Sequence, residues 1–221
     1  MALLHTHTSN RFRWALWQVS ETLDELLSQL PDRALFEPTL DAYPAPRRKL
    51  ERTAVHHLLW QMLQEPFTVG YRSDGKPLLL SHPHTDISIS HTDGYVAVIL
   101  GTPGAVVGID VERYSPRILS LQSRIVHPIS EKVYPYQGDP TWSILLHWSA
   151  KEVLFKCMGQ QGVDFLEHLH IHPFQPQAGG TFQAHETRTP QQQSFEIGYR
   201  ILPHCVLTWS SRKRLYLQYK L

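Results

Sequence analysis

The sequence predicts an α+β protein of two similar halves, each a helix packed on a small antiparallel sheet. Two observations carry this. A long stretch of helical periodicity is followed by short runs of alternating apolar residues, and the same order recurs further along the chain. Turn signals, Asp93-Gly94 and Pro103-Gly104 among them, separate the runs closely enough for antiparallel pairing. Helices and sheets must each bury an apolar face, so the pattern asks for two packed α+β units, expected at 1–112 and 113–221. The two units share no residue-level repeat. At 221 residues, the chain is long enough for a sizeable core.

Taken in order, "RFRWALWQV" (11–19) alternates and predicts a strand, and "SETLDELLSQL" after it a helix with an acidic first turn and Ser20 as cap. "PAPRRKLERTAVHHLLWQMLQ" predicts a longer helix that starts after prolines and carries Leu50, Ala54, Leu58 and Met62 down one side. "DISISH", "YVAVILG" and "AVVGIDVE" then read as an antiparallel meander of three strands. Residues 113–140 are proline-punctuated and irregular, with one short helix. "TWSILLHWSAKEVLFKCMG" restores the helical spacing and stops at Gly159. Strands are expected near 163–173, 194–201, 204–209 and 214–219, with a Gln/Gly/Thr-rich loop over 175–193.

Composition excludes several classes. A formal charge of +1 supplies no basic field, so nucleic acid is not a favoured partner, although "RRKLER" (47–52) is locally basic. Cys157 and Cys205 stand far apart in no metal-like spacing and read as free thiols of a reducing, cytoplasmic compartment. The first residues lack an apolar signal core and no apolar run is long enough to span a bilayer, so no membrane partner is expected. His168, His170 and His172 alternate, as do His82 and His84. Without a carboxylate or cysteine at fitting spacing they predict solvated or structural histidines, and His5 and His7 fall in a terminal segment.

Chemistry concentrates in two places. In "VGIDVE" (107–112), Asp110 and Glu112 lie two apart on a strand and so share a face. Like charges that close need a counter-charge, and a hard cation such as Mg²⁺ suits their oxygens; a strand with one solvated polar face is the plain alternative. On the second long helix, Glu152 falls inside the stripe of Leu145, Trp148, Phe155 and Lys156, and a carboxylate facing a core needs a cation to meet it. Three carboxylates around one Mg²⁺ follow. A capping box of Ser149 and Glu152, or an ordinary Glu152–Lys156 helix pair, would account for the same residues. "SISH" adds Ser88, Ser90 and His91, and "SDGKP" (73–77) a turn with a lysine.

Together these pieces resemble a family. "GKP" (75–77), "SISH" (88–91), "VGIDVE" (107–112) and "WSAKEVLFK" (148–156) occur in the order and at about the spacings of the Sfp-type 4′-phosphopantetheinyl transferases. The resemblance implies a monomer of two pseudo-twofold α+β halves with coenzyme A in the cleft between them. The implied reaction is Mg²⁺-dependent transfer of phosphopantetheine to a serine of an apo acyl or peptidyl carrier protein, releasing 3′,5′-ADP. It implies Asp110, Glu112 and Glu152 as metal ligands, Glu152 also as base, and Lys156 at the leaving phosphate. His91 and Ser90 would meet the pyrophosphate, and Gly75, Lys76 and Pro77 the nucleotide. The family commonly places an arginine about eight residues after the first basic residue of the basic helix. Here that slot holds His56, which leaves Arg47, Arg48 and Lys49, with His56, as the expected 3′-phosphate contacts. A Mg²⁺-dependent phosphodiester hydrolase, or a non-catalytic module that binds coenzyme A or a carrier, are the alternatives.

Overall fold

The computed structural model describes residues 3–213. Strands β1 (Leu3–Thr8) and β2 (Phe12–Gln18) lead into helices α1 (Leu23–Ser28), α2 (Arg33–Phe36) and α3 (Pro46–Leu63). A small hairpin, β3 (Val69–Tyr71) with β4 (Pro77–Leu79), precedes β5 (Ile87–Thr92), β6 (Tyr95–Gly101) and β7 (Ala105–Arg113). Helices α4 (Gln122–Ile125) and α5 (Pro140–Met158) follow, then β8 (Leu169–Ile171), β9 (Gly179–Glu186), β10 (Ser194–Leu202) and β11 (Cys205–Lys213). The result is α+β, with a sheet ordered β1-β2-β6-β5 and a second ordered β7-β11-β10-β9-β8, both antiparallel throughout.

Alternation explains the stacking. Along β2, Ala15 and Trp17 pack with Ala54 and Leu58 of α3, while Trp14 and Leu16 face Ile109 and Leu207 of the second sheet. The first sheet is thus buried on both faces, which is why "WALW" and "VAVIL" are unbroken apolar runs rather than half-polar ones. On the far side of the second sheet, Leu146, Ala150 and Val153 of α5 meet Phe195, Ile197 and Val206. Helix α5 comes so close to β7 that a Cβ on Gly108 would lie 2.8 Å from Cys157 Sγ and from the Val153 carbonyl. Only glycine fits there.

Several expectations need correction. The meander keeps only its first two strands: β5 and β6 form the Asp93-Gly94 hairpin, but β7 pairs with β11. The change of sheet therefore comes at the turn around 102–104. The edge amides of β7 are not left bare. Asp86 Oδ2, Ser88 Oγ and Ser90 Oγ accept from the N–H groups of Val107, Ile109 and Val111 at 2.9, 3.2 and 3.3 Å, a side-chain ladder in place of a backbone one. The cap of α1 is Thr22, not Ser20, in a full capping box with Glu25. The expected 175–193 loop contains β9, whose buried Phe182, Ala184 and Glu186 alternate behind a polar composition. The terminal segment forms β1 on β2, with His7 stacked 5.7 Å from Trp14. The 163–173 strand shortens to β8, because Asp164 Oδ1 caps a turn through Leu166 and Glu167. The run at 214–219 lies outside the described residues.

Both cysteines are buried free thiols, each pushed up to about 12, chiefly by burial. Among the described residues no helix is long and apolar enough to cross a membrane.

Candidate active site

The alternation of β7 turns Val107, Ile109 and Val111 toward the first sheet, and hence Gly108, Asp110 and Glu112 toward α5. Asp110 is buried. Its Oδ1 accepts from Ser90 Oγ at 2.8 Å and from Lys156 Nζ at 2.7 Å, while its Oδ2 is buried and has no partner among the described residues. Lys156 Nζ also donates to the Ile109 carbonyl at 3.0 Å. Glu112 Oε1 accepts from Trp148 Nε1 at 2.8 Å. Helix α5 runs unbroken from Pro140 with Asp139 as its cap, so Ser149 caps nothing; its hydroxyl bonds Thr208 Oγ1 at 2.7 Å. That removes the capping-box account of Glu152.

Charge is under-compensated here. Burial first, then Asp110, with Glu152 adding to it, pushes the Glu112 carboxyl up to about 7 against the Trp148 bond and Lys156. Glu152 is raised as well, by burial and then Asp110, with Lys156 opposing. An orphaned Asp110 oxygen beside two carboxyls that resist ionisation is a demand for positive charge of the kind a hard divalent cation meets. Among the described residues, no three acidic, histidine or cysteine side chains are gathered tightly enough to hold a metal ion; the Lys156 ammonium is the cation in contact.

Two clefts of about 200 Å³ each adjoin this centre and share Gly75, Pro77 and Ile89. The first is closed by Lys76, Phe155 and Lys156, with Lys76 Nζ held by Asp86 Oδ2 at 2.8 Å. The second is walled by Arg48, Glu51, Arg52, Tyr71 and His91. Its hub is Glu51, which takes Arg47 Nε at 2.9 Å and Arg48 Nη1 at 3.2 Å and stands 3.5 Å from His91 Nδ1. Arg48 Nη1 lies 3.4 Å from His91 Nε2. Burial lowers the pKa of His91 first, and Arg48, Lys156 and Arg47 add to it against Glu51, so the ring is neutral near pH 7. Such a pocket of arginines around a neutral imidazole suits a phosphate.

The structure therefore brings Arg48, His91, Gly75 and Pro77 to one cleft and Gly75, Lys76, Pro77 and Lys156 to the other, while Ser90, Asp110, Glu112 and Glu152 line neither and interact around Asp110 and Lys156. Lys49 lines neither cleft, and its carbonyl accepts from Thr53 Oγ1 at 2.8 Å. His56 is not brought to the arginines. Eight residues beyond Arg48 at 100° each, it is turned about 80° round the helix and bonds Asp32 Oδ2 at 2.9 Å under Phe36. Sequence reasoning missed Glu51, although its spacing of three and four from Arg48 and Arg47 is an ion-pair signal. It also missed Arg52 and Tyr71, which contact each other, and the role of Trp148.

Set beside known proteins, residues 106–206 match the family model of the 4′-phosphopantetheinyl transferase superfamily. No curated protein matches the chain. The matched segment begins in β7 and ends in β11, so it takes in Asp110, Glu112, Glu152 and Lys156 with the sheet and helix that carry them. Over residues 106–206, a little under half of its length, the chain is similar to the 4′-phosphopantetheinyl transferase superfamily.

Proposed function

We propose that the protein is an Sfp-type transferase that moves 4′-phosphopantetheine from coenzyme A to a serine of an apo acyl or peptidyl carrier protein. It acts as a cytoplasmic monomer whose halves, 1–112 and 113–221, meet at the first cleft, between Gly75–Ile89 and Phe155–Lys156. One observation supports this most: the buried Asp110, with Lys156 on one oxygen and, among the described residues, no partner on the other, flanked by two carboxyls held above their ordinary range. A group that transfers a diester-linked phosphate needs charge neutralisation and alignment more than a protein nucleophile.

Asp110, Glu112 and Glu152 would hold Mg²⁺, which when bound neutralises the pyrophosphate and orients it. The Gly75–Lys76–Pro77 turn would hold the nucleotide side, and Arg48, with Arg47 beside it on Glu51, the 3′-phosphate. Ser90 and His91 approach the pyrophosphate from β5. The carrier serine Oγ attacks the phosphorus that bears pantetheine, and the bond from that phosphorus to the bridging oxygen breaks. The serine proton passes to a Glu152 oxygen, which the raised pKa suits to receive it. Lys156 stabilises the charge left on 3′,5′-ADP.

The test is incubation with coenzyme A, Mg²⁺ and a panel of apo carriers, read by mass spectrometry. A phosphopantetheine adduct on the carrier serine is expected. Coenzyme A cleavage without any carrier, or binding without turnover, would replace this reading by a hydrolase or a binding module.

A further inference from the structure

A cavity of about 510 Å³, larger than either cleft, lies among α2, α3 and β3, and the carboxylate centre has no part in it. One wall is aromatic: the His56 ring stands 3.9 Å from Phe36 and 4.6 Å from Phe67, centroid to centroid. Asp32 also lines the cavity. Its Oδ2 meets His56 Nε2 at 2.9 Å, but its Oδ1 is buried and, among the described residues, without a partner. A buried carboxylate oxygen with no donor is costly and rare in a native fold. Nor does His56 balance the charge, because burial lowers its pKa more than Asp32 raises it. Arg52, on the same wall, is engaged by the Tyr43 and Tyr71 rings at 4.7 and 5.3 Å. The cavity thus combines flat apolar walls with one unmet demand for an N–H donor.

We propose that this cavity is a second ligand site, for a flat heteroaromatic amine whose N–H meets Asp32 Oδ1 while its ring lies along the aromatic wall. The cavity shares Arg52, Val55 and Tyr71 with the Arg48–His91 cleft, so an occupant touches the back of that cleft's wall. Ligands of this class combine the two features the site offers, since an acceptor alone would bind water and an aromatic wall alone any hydrocarbon.

The probes are 2-aminoquinoline and quinoline, identical in shape except for the amino group, titrated against the full chain by saturation-transfer NMR and calorimetry. The amine should bind at least about tenfold more tightly, the size of one hydrogen bond to a buried carboxylate. In Asp32→Asn, one amide oxygen remains for His56 and an NH₂ takes the acceptor's place. The preference for 2-aminoquinoline should then vanish while quinoline is unaffected. Thr39→Trp, at an exposed position on the cavity's edge, should weaken both probes with the melting temperature unchanged, and serves if Asp32→Asn does not fold. Equal binding of the two probes to the wild type, unchanged affinities in both variants, or no binding at millimolar probe would each overturn the proposal.

Discussion

Glu152 is the residue on which the proposed chemistry turns, since from α5 it adjoins Asp110, and its pKa is raised by burial first and then by Asp110, against Lys156. Glu152→Gln retains size and hydrogen bonding but can neither take a proton nor balance a cation. Turnover in the carrier assay should fall by about 10² or more, with the melting temperature kept or raised; an unchanged rate would return Glu152 to a structural role. Glu112 gives a prediction with a definite sign. A carboxyl raised to about 7 binds its proton more tightly in the folded than in the unfolded chain. Its contribution to stability is therefore complete below the ordinary carboxylate range and is lost as pH rises through about 7. Without divalent cation, the melting-temperature difference between wild type and Glu112→Gln should shift against the wild type from pH 5 to pH 8, and Mg²⁺ should remove much of that shift. A difference flat across this range would show that Glu112 is not held above its ordinary pKa.

Among the elements, α5 carries the site and is itself held by a buried ion pair. Lys151 Nζ meets Glu131 Oε2 at 3.0 Å and the Ile125 carbonyl at 2.6 Å, while Glu131 also accepts from the backbone N–H groups of His127 and Ile171 at 2.6 and 2.7 Å. Both side chains have no solvent exposure. One pair thus ties α5, the 125–131 segment and β8 together. Glu131→Ala would leave a buried ammonium and two orphaned amides, and should cost about 3 to 5 kcal/mol, a fall in Tm of about 6 to 20 °C. The double variant Lys151→Met, Glu131→Leu should recover part of that loss, because it removes the charge along with its partner. Urea melts of the two proteins decide this: if Glu131→Ala alone is near neutral, the pair is not what fixes α5.

At the scale of the molecule, the cluster proposed to bind phosphate exists only because three separate elements meet. Arg48 comes from α3, His91 from β5 and Gly75 from the β3–β4 turn. A charge-assisted hydrogen bond to a phosphate contributes about 1.5 to 3 kcal/mol, and 1.4 kcal/mol is a factor of about ten. Arg48→Ala should accordingly raise KM for coenzyme A by about tenfold while leaving dephospho-coenzyme A, which lacks the 3′-phosphate, nearly unchanged. Equal losses on the two substrates would move the 3′-phosphate to another part of the clefts. His56→Ala should leave this discrimination intact, since its ring is bonded to Asp32 in the separate cavity.

What the sequence by itself determined is short-ranged. Helical periodicity placed α3 and α5, with Gly159 ending the latter in a left-handed conformation at φ 59, and turn chemistry placed the β5–β6 hairpin. Two-residue and four-residue spacings paired Asp110 with Glu112 and Glu152 with Lys156, because such spacings fix which side chains share a face whatever the rest of the chain does; the need of buried carboxylates for a counter-charge and the family resemblance joined the pairs. The tertiary structure decided everything that depends on a partner far along the chain. It took β7 out of the meander and gave it to β11, with Asp86, Ser88 and Ser90 bridging the seam. It set Lys156 on Asp110 across 46 residues and turned His56 away to Asp32. Strand register and ion-pair choice are settled by which surfaces are buried together, a long-range competition that no local pattern records.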